Sequence, residues 1–174
     1  MACFKMIGTA LIISSLGAWG LSGARGIGKR TEELRELRFA IAFLEKEISY
    51  MHTPLTRALE RTARMCQNPV SALFRESALS LKAGRGLTAG EAWMIGLEKL
   101  NVGSNLQATD LEILGSAAHH LGMSDSSDQR KFLVLLQEEI KVQEEKARQE
   151  QAGKQKLWSY GGFILGIVIV LLLI

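Results

Sequence analysis

The sequence predicts an all-α protein: a six-helix antiparallel bundle flanked by an N-terminal and a C-terminal transmembrane helix. Three observations predict it. Two uncharged stretches bracket the chain, nineteen residues from Met6 to Ala24 and eighteen from Leu157 to Ile174. Between them apolar residues recur at spacings of three and four, the period of a helix with one buried face. Helix-opening signals then cut that middle part into helical lengths: a Thr-Pro, an Asn-Pro and two Thr-x-x-Glu boxes.

A helix needs roughly 20 apolar residues to cross a hydrocarbon core, so each uncharged stretch is just long enough. All 18 acids and all but one of the 21 basic residues lie between them. The expected organisation is a short tail over 1–5, a span over 6–24, a polar helical domain with a C-terminal stalk over 25–156, and a second span over 157–174. Arg25, Lys29 and Arg30 follow the first stretch, and Lys154 and Lys156 precede the second; only Lys5 lies outside. Cations flanking spans favour the cytoplasmic side, which places the polar domain there. The rival reading is a signal peptide cut after Ser22-Gly23-Ala24, leaving a secreted, tail-anchored helical binding domain. Arg25, Lys29 and Arg30 resist translocation and weigh against it. In the second stretch Gly162 and Gly166 have the spacing of a close helix-crossing motif, although glycine is common in membrane helices.

The first bundle helix carries Leu34, Leu37, Ile41, Leu44, Ile48 and Met51 on one face, about six turns in length. Thr53-Pro54 and Asn68-Pro69 each read as an N-cap followed by a first-turn proline. The helices they open carry Leu55, Ala58, Leu59, Thr62 and Cys66, then Val70, Leu73, Phe74, Ala78 and Leu81. Gly84-Arg85-Gly86 ends the second. Capping boxes are expected at Thr88 with Glu91 and at Thr109 with Glu112, ahead of Trp93, Leu97 and Leu100 and of Leu114, Ala118 and Leu121. Gly122 supplies a left-handed stop. A cap at Ser124 or Asp125 opens the last helix, with Phe132, Leu133, Leu136 and Ile140 inward, continuing as a polar stalk toward the second span.

Catalytic and ligand-binding patterns are missing. His119 and His120 sit about 100° apart on a helix and cannot chelate one metal together. Gly84-Arg85-Gly86 lacks the lysine and preceding strand of a phosphate loop. Cys66 reads as a small buried hydrophobe, and Cys3 and Cys66 fall on opposite sides of the expected span, which rules out a disulfide between them. A net charge of +3 is too small to argue for nucleic acid. No enzyme activity, cofactor, metal or small-molecule substrate is expected. The surface is nevertheless uneven: Arg57, Arg61 and Arg64 form a basic stripe at spacings of four and three, read either as a solvated face or as a site for anionic lipid, acidic partners or nucleic acid.

These landmarks, in their order, resemble the stage III sporulation protein AB family of endospore-forming bacteria. The most specific stretch is Leu44-Glu45-Lys46-Glu47-Ile48-Ser49-Tyr50-Met51-His52-Thr53-Pro54-Leu55. Phe74, Glu91-Ala92-Trp93, Leu121-Gly122 with Asp125, and Gln129 follow in register. One departure is Ala117-Ala118, where the family tends to carry Phe-Gly. The resemblance implies a non-catalytic scaffold of the channel between mother cell and forespore, lying in the mother-cell membrane. It also implies a bundle similar to the platform domains of type II secretion. Its expected partners are other stage III sporulation proteins, above all the ATPase stage III sporulation protein AA, with homo-oligomerisation left open. The loop of Tyr50, Thr53, Pro54 and Leu55, at the far end of the first helix, is then a candidate docking tip; the plain alternative is an ordinary helix cap.

Overall fold

The first helix, α1, runs over residues 28–49 because its apolar positions repeat at helical spacing and meet a core: Leu34, Leu37, Ile41 and Leu44 are all buried. In this computed structural model residues 28–84, 86–122 and 126–173 are described, with side chains over 127–153 in the last stretch. The remaining helices are α2 (Leu55–Met65), α3 (Val70–Lys82), α4 (Ala89–Gly103), α5 (Ala108–Ser116) and α6 (Ser126–Leu173), with a 3-10 turn at Ala117–His119. Among the described residues no strand occurs, as the periodicity predicts. Arg30–Glu145 forms one compact unit, and the chain ends belong to a second. Within that second unit Gly28 lies beside Gln151, and a Cβ on Gly28 would stand 3.3 Å from the Gln151 amide nitrogen.

The expected spans are a separate matter. Met6 to Ala24 lies outside the described residues, and over Leu157 to Ile174 only the backbone is described, helical to Leu173. Among the described residues no helix is long and apolar enough to cross a membrane.

In Arg30–Glu145, α3 packs between α2 and α4. Gly96 sets the α3–α4 approach: a Cβ there would stand 2.3 Å from the Leu73 carbonyl oxygen and the Ser77 hydroxyl. Only a residue without a side chain lets the two backbones come that close. Trp93 fills the space beside it, edge-on to Phe74 with centroids 5.7 Å apart, and its indole N–H donates to the Leu114 carbonyl at 2.8 Å. That bond satisfies the one polar atom of the largest buried side chain and joins α4 to α5.

Charged groups on α1 tie it to its surroundings. Arg30 donates to both carboxylate oxygens of Asp110 on α5, at 2.8 and 2.9 Å, with both residues buried. Glu33 accepts from the Asn105 backbone and side-chain amides, each at 2.8 Å, in the α4–α5 connection. On the α6 side, Arg35 and Arg38 donate to the two oxygens of Glu144, and Arg130 pairs with Glu45 at 3.1 Å. Residues rising along α1 meet residues falling along α6, so these two helices are antiparallel.

Several local expectations are corrected. Arg30, expected as a membrane-surface cation, is buried because Asp110 offers it a two-pronged partner. The α5 box is shifted: Asp110, not Glu112, accepts from an N-terminal N–H, that of Gln107 at 2.8 Å, and α5 begins before Thr109. Met51 is exposed because α1 ends before it. Thr53 does not cap α2; its hydroxyl donates to Glu47 at 2.9 Å, leaving Pro54 at the cap position. Asn68 likewise accepts from the Ser71 hydroxyl while Pro69 takes the cap. Thr88 and Glu91 form the reciprocal box as expected, and Gly122 takes its left-handed turn at φ +82°. The expected cap at Ser124 or Asp125 lies outside the described residues.

Asp110→Ala leaves the Arg30 guanidinium buried without its carboxylate, and is expected to cost about 3–5 kcal/mol. Replacing the pair together, Arg30→Met with Asp110→Leu, is expected to recover most of that loss. Thermal unfolding of the two variants and the parent, followed by circular dichroism, checks both values.

Candidate docking site

The expected docking residues come together at the end of α1. The helix stops at residue 49, and His52 adopts φ +48°, a left-handed conformation that non-glycine residues rarely take. This turn brings the Thr53 N–H back onto the Glu47 carbonyl at 2.9 Å. Glu47 is the anchor of the turn: its buried carboxylate accepts from the Thr53 hydroxyl and pairs with Arg61 of α2 at 3.0 Å. The tip is therefore held by a charge on α1 and a charge on α2, while Tyr50 and Met51 project with 59% of their surface exposed. Leu55 is half-buried at the start of α2.

Tyr50 is not a free side chain. The Arg130 guanidinium lies 4.8 Å from its ring centroid, donates to its hydroxyl, and pairs with Glu45. A cation over an aromatic face with a charge-assisted hydrogen bond at its edge fixes the ring's direction. Arg130 and Glu45 escape a sequence reading because the contact joins residues eighty positions apart and no local pattern announces it. Glu144 is the other such residue; it looks like one more acid of a polar stalk until Arg35 and Arg38 are seen to grip it.

The basic stripe divides. Arg57, Arg61 and Arg64 share the outer face of α2, but Arg61 is committed to Glu47. Arg57 and Arg64 are exposed and make no ion pair among the described residues. Between them Glu60 bonds Lys82, which holds its carboxyl below the usual range, with Arg64 and Arg57 adding to the effect. Of the expected membrane-surface cations Lys29 is exposed, whereas Arg25 and the side chains of Lys154 and Lys156 lie outside the described residues. The same holds for packing at Gly162 and Gly166.

Cys66 is half-buried at the end of α2 rather than fully inward; burial, with Glu36 adding to it, pushes its thiol up to about 12. A thiol so protonated at neutral pH is a poor nucleophile. His120 stacks on Phe132 with centroids 4.0 Å apart, which leaves Phe132 half-buried, and His119 points outward. The tip is thus a surface whose exposed aromatic side chain is held by charged neighbours.

Comparison with known proteins gives a consistent result. Residues 5–174 match the family described as stage III sporulation protein AB. The chain is 33% identical over 170 residues to stage III sporulation protein AB of Bacillus subtilis, covering 97% of this chain and 98% of that one. A solved structure of stage III sporulation protein AB superposes with a TM-score of 0.68 at 33% identity, covering 72% of this chain and 98% of the other.

Glu144 gives the α1–α6 contact a pH dependence. Burial pushes its carboxyl up, but the bonds from Arg35 and Arg38 outweigh this and leave it below the usual range. A carboxylate lowered by folding contributes stability above its unfolded pKa, and that stability is lost as pH falls through the lowered folded value. Glu144→Gln is therefore expected to flatten the acid limb of the stability–pH curve below about pH 5, measured by denaturant unfolding at a series of pH values.

Proposed function

The chain belongs to the stage III sporulation protein AB family, and on that premise we propose that it is a non-enzymatic, membrane-anchored adaptor of a sporulation channel. In this reading the uncharged stretches at 6–24 and 157–174 hold it in the mother-cell membrane facing the forespore. The bundle lies on the cytoplasmic side. Its tip, Tyr50 to Leu55, docks a cytoplasmic partner, the ATPase stage III sporulation protein AA.

The observation that carries the proposal is the state of that tip. An exposed tyrosine ordinarily loses rotamer freedom when a partner binds, at roughly 0.5–1.5 kcal/mol for each side chain immobilised. Here Arg130 and Glu45 already restrict Tyr50, and Glu47 with Arg61 restricts the turn behind it. A left-handed non-glycine residue, His52, is maintained in the same turn. Local strain of that kind persists where the surroundings enforce it, and such places cluster at binding sites. Preorganisation of an aromatic anchor is what an adaptor needs and what a plain helix end does not.

Tyr50→Ser and Leu55→Ser are expected to reduce co-purification of the ATPase by at least about tenfold while the far-ultraviolet spectrum stays that of the parent. Normal sporulation and normal capture in both variants would remove the tip from the proposal. Sidedness is tested separately by placing one cysteine at Gln149, with Cys3→Ser and Cys66→Ala, and treating intact cells with a membrane-impermeant maleimide. Protection until lysis is the expected result. Labelling in intact cells would favour the secreted, tail-anchored alternative and end the adaptor reading.

A further inference from the structure

We propose that the basic face of α2 on one molecule docks on the outer face of α4 on a second copy of the same chain. The two faces are unlike in composition and complementary in charge. On α2, Arg57 and Arg64 point outward without an ion-pair partner among the described residues, Arg61 remains 58% exposed beside them, and Met65 at their edge is 69% exposed. On α4, Glu91, Ile95, Glu98 and Val102 follow one another at spacings of four, three and four, which stacks them along a single stripe.

That stripe is too apolar for a solvated face. Met94 and Ile95 are 43% and 41% exposed, and Val102 is 87% exposed, more than any other large hydrophobic side chain described. Single exposed apolar residues need no explanation, but a run of them on one helix face rimmed by charge marks an interaction surface. Two other exposed rings differ in carrying a cation of their own chain over one face: Arg38 over Phe39 and Arg130 over Tyr50. The charges of the stripe are acidic. Glu98 is exposed and makes no ion pair among the described residues, and Glu91 is kept ionised by bonds from the Thr88 backbone and hydroxyl. One cation, Lys99, borders it.

The order of the helices dictates how these faces can meet. Because α3 packs against both α2 and α4, the basic and acidic faces belong to the two helices that α3 joins. One molecule therefore presents one of each. Contact between unlike patches on identical chains is heterologous, so each copy has a site left for the next. Opposed charges set the register and suppress like-with-like pairing of two α2 faces, while Met65, Met94, Ile95 and Val102 supply apolar area.

The test uses the full chain in its membrane, with Cys3→Ser and Cys66→Ala as background. Met65→Cys and Met94→Cys in the same chain, treated with a short bis-maleimide, are expected to give a ladder of dimers, trimers and larger species. Chains carrying only one of the two cysteines are expected to stay monomeric alone and to give a dimer when co-expressed. Arg57→Glu with Arg64→Glu is expected to cut the ladder by about tenfold, and adding Glu98→Arg to restore it. Absence of a ladder overturns the proposal. A dimer from Met65→Cys alone would overturn it too, as would a ladder indifferent to the charge reversal. Unchanged circular dichroism of each variant excludes unfolding as the cause.

Discussion

The buried pair between Arg30 and Asp110 is the constraint on which the placement of α1 depends. Desolvating two full charges costs several kcal/mol for each ion, and the cost is offset only when geometry is close to ideal. Here it is: two parallel bonds of 2.8 and 2.9 Å, with the oxygen of the shorter one also taking the Gln107 N–H at the start of α5. A carboxylate at a helix N-terminus already sits in a favourable field, which lowers the cost of its burial. One aspartate thus opens α5 and fixes the first turn of α1, so the two elements cannot be positioned independently.

From that fixed point α1 acts as the member to which the others are tied. Glu33 holds the α4–α5 connection, Arg35 and Arg38 hold Glu144 on α6, Glu45 holds Arg130, and Glu47 holds Thr53 and Arg61. Hydrophobic burial of Leu34, Leu37, Ile41 and Leu44 supplies the drive to pack but has little directional content. The ionic contacts supply direction. They specify which residue of α6 faces which residue of α1.

How much of this could be read in the chain depends on the range of the interaction. Patterns within a turn or two were legible: the three-four spacing of α1, the Thr88–Glu91 box and the Gly122 stop all follow from local rules. The α5 start was misplaced because two boxes compete within six residues, and Arg30, far away in sequence, decides for Asp110. Thr53 shows the same failure, since Glu47 takes its hydroxyl before the α2 amides can. Arg30 looked like a membrane-facing cation because its neighbours in sequence are cations, whereas its environment is set by residue 110. Of the candidate site, the place of Tyr50 in the loop that follows the first helix is legible; the arginine that orients it is not.

The place of Arg30 in the chain has a mechanical consequence. It is the first residue of Arg30–Glu145, and only five positions separate it from the end of the uncharged stretch at Ala24. Within Arg30–Glu145 the chain therefore begins on a residue held by its side chain as well as by its backbone. A helix end that would otherwise fray is closed by a two-pronged ionic bolt, and separating α1 from the core at this end requires breaking its link to α5.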